Sequence, residues 1–145
     1  MDTNLRREII VDNAENPFHR GLANKEGYVK ANTHNESCID NIDLYVKFQD
    51  GKIIDAYFEG EACAITTSAT SIMIKKIIGK TKEEAISLMR EYYNMIEENS
   101  YDEAYLGELN AYSNIAKQPS RKKCATLPFQ TLEKTIKISE IENIN

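Results

Sequence analysis

Apolar and polar positions alternate through Ile42, Leu44, Val46 and Phe48, and the alternation resumes at Ile54, Ala56 and Phe58 after Asp50-Gly51. A period of two puts one set of side chains on one face of a strand, and an Asp-Gly pair supplies the positive φ angles of a tight turn. These residues predict a β-hairpin. Elsewhere the period lengthens to that of a helix. Leu5, Ile9 and Ile10 predict a short leading helix over Leu5 to Val11, which the turn-forming run Asn13-Ala14-Glu15-Asn16-Pro17 ends. Ala69, Ile72, Met73, Lys76 and Ile77 predict a helix that begins soon after Cys63, with Thr66, Thr67 or Ser68 as its cap, and Gly79 closes it. Thr81 and Glu84 form a capping-box pattern ahead of Ala85, Leu88, Met89, Tyr92 and Ile96, a second long helix that runs to Glu97-Glu98.

Between these elements the pattern weakens. Phe18 to Asn35 reads mostly as loop, with a brief strand at Tyr28-Val29-Lys30-Ala31, and Asn99 to Pro119 holds a short helix near Leu109 to Ala116. Pro119-Ser120 prepares a last helix from about Arg121 to Lys137. Pro128 falls within it. A start at Arg121 places Cys124 in the first turns, whereas a start near Leu127 would accommodate the proline and leave Cys124 in the preceding loop. The polar tail from Ser139 to Asn145 is expected to fray. Together these elements predict an α+β fold, a small antiparallel β-sheet of about three strands packed against several α-helices mainly on one face.

At 145 residues the chain, 1–145, is expected to form a single domain. With 41% hydrophobic and 28% charged residues it belongs with folded soluble chains rather than disordered or fibrous ones. Its net charge of −5 offers no diffuse positive field for phosphate backbones, so nucleic acid is not an expected partner. No signal-peptide pattern follows Met1, and nowhere do eighteen apolar residues run together. A cytoplasmic protein with no membrane contact is the expectation.

Three cysteines, Cys38, Cys63 and Cys124, are an odd set in a reducing compartment, which argues against a disulfide framework. Each sits at the end of an expected element. Side chains from such ends can converge, and three sulfurs with the carboxylate of Asp40 would satisfy tetrahedral zinc. The same soft ligands suit an iron-sulfur cluster, and composition does not choose between them. Against any metal stands the fact that free cysteine is among the most buried residue types. Spacings of 25 and 61 residues also match no finger motif. On these residues alone, ligation and plain burial both remain open.

Other candidates carry less. Asp40 alone is an ordinary turn or cap residue, and Thr66-Thr67-Ser68 lacks the Gly-rich loop of a phosphate site. His19 and His34, both in the loop-rich leading third, suit surface or hydrogen-bonded roles better than that of a general base. Ser120 to Lys123 spells S-x-x-K without the companion motifs of that enzyme class. Tyr92, Tyr93, Tyr101, Tyr105 and Tyr112 could form an interaction face or the edge of a core.

Taken in order, Asn16-Pro17-Phe18-His19-Arg20-Gly21, Cys38-Ile39-Asp40, Asp50-Gly51-Lys52-Ile53, Phe58-Glu59-Gly60-Glu61-Ala62-Cys63-Ala64-Ile65 and Arg121-Lys122-Lys123-Cys124-Ala125-Thr126-Leu127 span nearly the whole chain. This series resembles the SufU branch of the U-type iron-sulfur assembly proteins, in the superfamily of IscU scaffolds and NifU N-terminal domains. The IscU scaffolds carry an L-P-P-V-K string and a His directly before the third cysteine. Here Lys123 holds that place, the string is absent, and the stretch from Cys63 to Cys124 is longer.

The resemblance implies a SufE/NifU-like fold and a zinc-dependent sulfurtransferase. Such a protein accepts persulfide sulfur from a SUF-type, pyridoxal-phosphate cysteine desulfurase and serves downstream iron-sulfur assembly proteins. It implies Cys38, Asp40, Cys63 and Cys124 as zinc ligands, Cys38 as the sulfur acceptor, and Arg121 as the arginine used beside the site at the desulfurase interface. One departure is Ile39, a β-branched residue where the family usually writes the Gly of C-G-D. Two further readings stand beside this one: a scaffold that assembles a [2Fe-2S] cluster on the same ligands, and a structural zinc module that only recruits a partner.

Overall fold

A computed structural model describes residues 1–21 and 23–144. Leu22, within the expected leading loop, and Asn145, the last residue of the expected frayed tail, lie outside the described residues. Among the described residues, three strands, β1 (Val29–His34), β2 (Asn41–Gln49) and β3 (Lys52–Glu61), form one antiparallel sheet in the order β1-β2-β3. The hairpin turns at Asp50 and Gly51, whose φ angles of 53° and 77° are those its composition predicts. In register, Leu44 faces Phe58 on one side and Ala31 on the other, so alternate residues of all three strands share the buried face. Strand β1 runs on to His34, past the expected Ala31, because Asn32, Thr33 and His34 find partners in Asp43, Ile42 and Asn41.

The helices are α1 (Thr3–Glu15), α2 (Ala64–Ile77), α3 (Lys82–Ile96), α4 (Glu103–Leu106) and α5 (Pro119–Ile141). Helix α3 carries the predicted reciprocal capping box between Thr81 and Glu84. Helix α5 packs across β1 and β2, while α2 lies between α1, α5 and β3. The expected single helix near Leu109 to Ala116 is instead α4 followed by two 3-10 turns, Gly107–Tyr112 and Ile115–Lys117. Gly107, at φ 52°, interrupts α-helical geometry there.

Helix α2 is buried nearly throughout although five consecutive or near-consecutive positions are hydroxylic: Thr66, Thr67, Ser68, Thr70 and Ser71. The hydroxyls are satisfied locally or by neighbours. Thr70 donates to the Thr66 carbonyl at 2.7 Å, Ser68 to the Ile65 carbonyl at 3.1 Å, and Ser71 to Asn13 Oδ1 of α1 at 2.8 Å. None of the three residues expected to cap α2 does so; its cap is Cys63, which adopts extended φ/ψ and whose sulfur faces the amide of Thr66.

Helix α5 begins at Pro119 and passes through Pro128 without ending, which places Cys124 inside the helix and not in a loop. Pro128 has no N–H for the carbonyl four residues back. That carbonyl is Cys124's, and the Thr66 hydroxyl lies 3.1 Å from it. The tail also departs from expectation: the helix extends to Ile141 with Ser139 buried, and the Ile144 N–H returns to the Ser139 carbonyl at 2.7 Å.

Candidate metal centre

Residues 35–40 make a tight connection between β1 and β2. Asn35 organises it: Oδ1 accepts from the Ser37 N–H at 3.2 Å and the Ser37 hydroxyl at 2.8 Å. The Asn35 carbonyl accepts from the Cys38 N–H at 3.1 Å, and the Asn35 N–H donates to the Asp40 carbonyl at 2.8 Å. Asx-type bonding of this kind folds a short chain back on itself. It brings Cys38 and Asp40 over the start of α2, where Cys63 is the cap, and beside the second turn of α5, where Cys124 faces in.

One ligand atom from each of Cys38, Asp40, Cys63 and Cys124 lies within 4.8 Å of all the others. Sulfurs bound tetrahedrally to zinc sit about 3.8 Å apart, given a Zn–S bond of about 2.3 Å. The four donors therefore need only a small contraction to close on one ion. Their chemistry fits zinc or iron, being three soft sulfurs and one carboxylate oxygen with no imidazole. Cys124 and Asp40 are buried, whereas Cys38 and Cys63 are half-buried.

Asp40 is 0% exposed and held by both oxygens. Oδ1 accepts from the Cys63 N–H at 2.8 Å, and Oδ2 accepts from the Thr66 hydroxyl at 2.6 Å. Burial alone would push this carboxyl up, but the bonds from Thr66, the Cys63 amide and the Cys124 and Cys63 thiols outweigh it and hold Asp40 below its ordinary range. Burial pushes the Cys124 thiol well up, and hydrogen bonding with Asp40 and Cys63 adds to the effect. Oδ2 stands 3.9 Å from Cys63 Sγ, and that sulfur receives the Thr66 N–H at 3.5 Å.

Ser37, Cys38, Cys63, Ile65, Ser120, Arg121 and Cys124 line an open depression of about 320 Å³ over the cluster. Arg121 is exposed on its rim, one turn before Cys124. Ile39 projects from the same loop at 63% exposure. Lys123 is exposed, and Lys122 is tied to Glu97 at 3.0 Å.

The other sequence candidates lie elsewhere. His19 is stacked between Phe18 and Tyr57, and its Nδ1 lies 2.9 Å from the Ala56 carbonyl, a bond that requires Nδ1–H. His34 ends β1, exposed to solvent. Tyr92 and Tyr112 are fully buried; Tyr92 donates to the Ala125 carbonyl at 2.8 Å, and Tyr112 bonds Ser68. Two contributors to the centre escaped sequence reasoning, Asn35 and Thr66. Thr66 was visible only as part of a Ser/Thr run, and its position three residues after an unrecognised cysteine cap is the signal that could have found it.

Comparison with known proteins follows the same lines. Residues 5–125 match the NifU-like N terminal domain. The chain is 37% identical over 137 residues to the zinc-dependent sulfurtransferase SufU of Bacillus subtilis, covering 94% of this chain and 91% of that protein. It is 35% identical over 136 residues to the iron-sulfur cluster assembly scaffold protein IscU of Streptococcus pyogenes, covering 93% and 84%. A crystal structure named as an iron-sulfur cluster assembly scaffold protein for the SUF system, from Fervidobacterium islandicum, superimposes with a TM-score of 0.77 at 35% identity, covering 91% of this chain and 97% of that one.

Proposed function

The chain belongs to the family of NifU-like N-terminal domains used in iron-sulfur cluster assembly, and from that premise we propose that it is a zinc-dependent sulfur acceptor that takes persulfide sulfur from a cysteine desulfurase. The observation that carries this reading is the convergence of three thiols and one carboxylate on a single point, with two of the cysteines half-buried. Cys38, Asp40, Cys63 and Cys124 would hold the zinc, which keeps bound sulfurs as thiolates at neutral pH. The relative at 37% identity is named for zinc-dependent sulfur transfer, and Lys123 stands where the resemblance to IscU scaffolds would imply a His.

Cys38 is the acceptor in this reading because it alone sits on a short loop, whereas Cys63 caps α2 and Cys124 lies within α5. Its thiolate attacks the terminal sulfur of the donor's persulfide. A new S–S bond forms on Cys38, the donor's S–S bond breaks, and its electron pair leaves on the donor cysteine sulfur. Arg121 lines the depression, and in this reading it is the residue that meets the donor's surface. The protein itself then carries a persulfide for downstream iron-sulfur assembly proteins.

The test combines metal analysis of the purified protein with a desulfurase assay. Zinc near one equivalent, a faster desulfurase turnover and the added mass of one sulfur atom on the chain are expected, and Cys38→Ala should abolish sulfur uptake. Full uptake by Cys38→Ala would remove the acceptor assignment. The identity to an IscU scaffold favours a second reading, cluster assembly on the same donors. A brown protein with stoichiometric iron and sulfide from anaerobic purification would establish that reading instead. Zinc without any effect on the desulfurase would leave a recruiting module.

A further inference from the structure

Of the five buried hydroxyl groups of α2, that of Ser71 donates to Asn13 Oδ1 of α1. Thr67, Ser68 and Thr70 each donate to a carbonyl of their own segment, the usual way a buried helical hydroxyl is satisfied. Thr66 does not. Its hydroxyl, 0% exposed, points away from its helix toward two acceptors on two other elements, Asp40 Oδ2 at 2.6 Å and the Cys124 carbonyl at 3.1 Å. Its oxygen is also 3.4 Å from Cys63 Sγ. One side chain that supplies no ligand itself thus touches three of the four ligand residues.

A hydroxyl has a single hydrogen. The separation of 2.6 Å from an ionised carboxylate is that of a charge-assisted bond, the stronger of the two available. The carbonyl is within reach because Pro128 denies it a helical partner and its ring crowds it outward. A proline inside α5 and a threonine at the start of α2, 62 residues apart in sequence, therefore meet at the same place.

We propose that Thr66 is the positioning residue for Asp40, with its hydroxyl orienting the carboxylate toward the metal. Without it, Asp40 keeps the Cys63 amide on Oδ1 and only the weaker, longer contacts of the cysteine sulfurs on Oδ2, so the carboxylate is held less firmly against rotation. The inference rests on the metal reading above, and its test separates the two. Loss of an outer-shell partner typically costs about 10–100-fold in metal affinity.

The experiment is competition for Zn²⁺ against a chromogenic chelator, with Co²⁺ absorption as a second readout of coordination geometry. Thr66→Val keeps the shape and removes the hydroxyl. We expect it to bind zinc about 10–100-fold more weakly and to change the Co²⁺ bands, and Thr66→Ser to restore both to within about threefold of the parent chain. Pro128→Ala returns an N–H to the Cys124 carbonyl and leaves the hydroxyl to Asp40, so affinity should hold. The double variant Thr66→Val, Pro128→Ala should stay as weak as Thr66→Val.

Thr66→Val with parental affinity and spectrum, Thr66→Ser as weak as Thr66→Val, or recovery of affinity in the double variant would each overturn the role. Recovery would trace the effect to the carbonyl. Should Thr66→Val fail to fold, Thr66→Ala in the Pro128→Ala background makes the same comparison with the carbonyl already satisfied. Failure of the parent chain itself to take up zinc or cobalt overturns the metal reading, a result distinct from all of these.

Discussion

Gly60 is the position where a single methyl group should do most harm. It lies in β3 with φ 113°, three residues before Cys63, and pairs across the sheet with Ile42, two residues after Asp40. An added Cβ would stand 2.2 Å from the Asn41 carbonyl oxygen, which belongs to backbone and not to a flexible side chain. Ordinary contact needs more than an additional ångström. Gly79 provides the control. It also has positive φ, 92°, but nothing lies within 4 Å of its built Cβ.

Both Gly→Ala variants incur backbone strain of about 1–2 kcal/mol. Gly60→Ala must also push β2 from β3 where they end, at the cost of about two backbone hydrogen bonds near 1 kcal/mol each. We expect about 3–4 kcal/mol in total for Gly60→Ala and about 1–2 kcal/mol for Gly79→Ala. In thermal unfolding that is a fall in Tm of roughly 10–15 °C against roughly 3–7 °C for a chain of this size. Because the strained end of the hairpin carries Asp40 on one side and leads to Cys63 on the other, Gly60→Ala should also weaken zinc binding, and Gly79→Ala should not. Equal losses of Tm in the two variants, or parental zinc affinity in Gly60→Ala, would refute the steric argument.

Three other outcomes follow from the structure. Burial raises Tyr92 well above the ordinary tyrosine range and raises Tyr112 likewise, so their contribution to stability is whole below pH about 10 and is lost as pH rises beyond it; ultraviolet titration should show two tyrosines ionising only as helical circular dichroism collapses, and smooth titration of all eight with the helices intact would contradict this. Asn13 is buried and its Oδ1 accepts from Ser71 at 2.8 Å and Lys75 at 2.9 Å, so Asn13→Ala should cost about 2–3 kcal/mol in urea unfolding, and a cost below about 0.5 kcal/mol would show the network to be idle. Free Zn²⁺ at about one hundred times its Kd should stabilise the chain by about 2.7 kcal/mol, and Cys124→Ala should remove most of that gain; an unshifted unfolding midpoint in the parent chain would argue against the site.

What the sequence reveals of all this depends on how local the cause is. The hairpin was legible because alternation and Asp50-Gly51 act within a few residues, and α3 because Thr81 and Glu84 satisfy one another directly. The cap of α2 was misread because Ser and Thr are the usual caps, and Cys63 fills that place with a sulfur that accepts only weakly. The uninterrupted α5 was legible as one of two alternatives only, since the hydroxyl beside the Cys124 carbonyl comes from Thr66, far away in the chain. The four donors could be listed from their places at element ends, but their convergence depends on Asn35 folding residues 35–40, a bond pattern with no periodic signature.

The four donors are not held alike, and the difference bears on how such a centre works. Cys63 is fixed by the start of a buried helix, whose partially positive end favours an anionic sulfur. Cys124 is fixed within α5, and Asp40 is pinned by hydrogen bonds to both oxygens. Among the described residues, the backbone bond that holds Cys38 is the one from its N–H to Asn35, on a loop whose next residue, Ile39, stands in solvent. Moving Cys38 disrupts no helix and no strand pair, whereas moving any of the others disturbs an element of the core. Three fixed donors and one loose one suit a site that releases a single sulfur to react while the rest keep their ion. A closed structural site gains nothing from that asymmetry, because any loose ligand there only weakens it. The unequal anchoring therefore favours a working centre over a structural module.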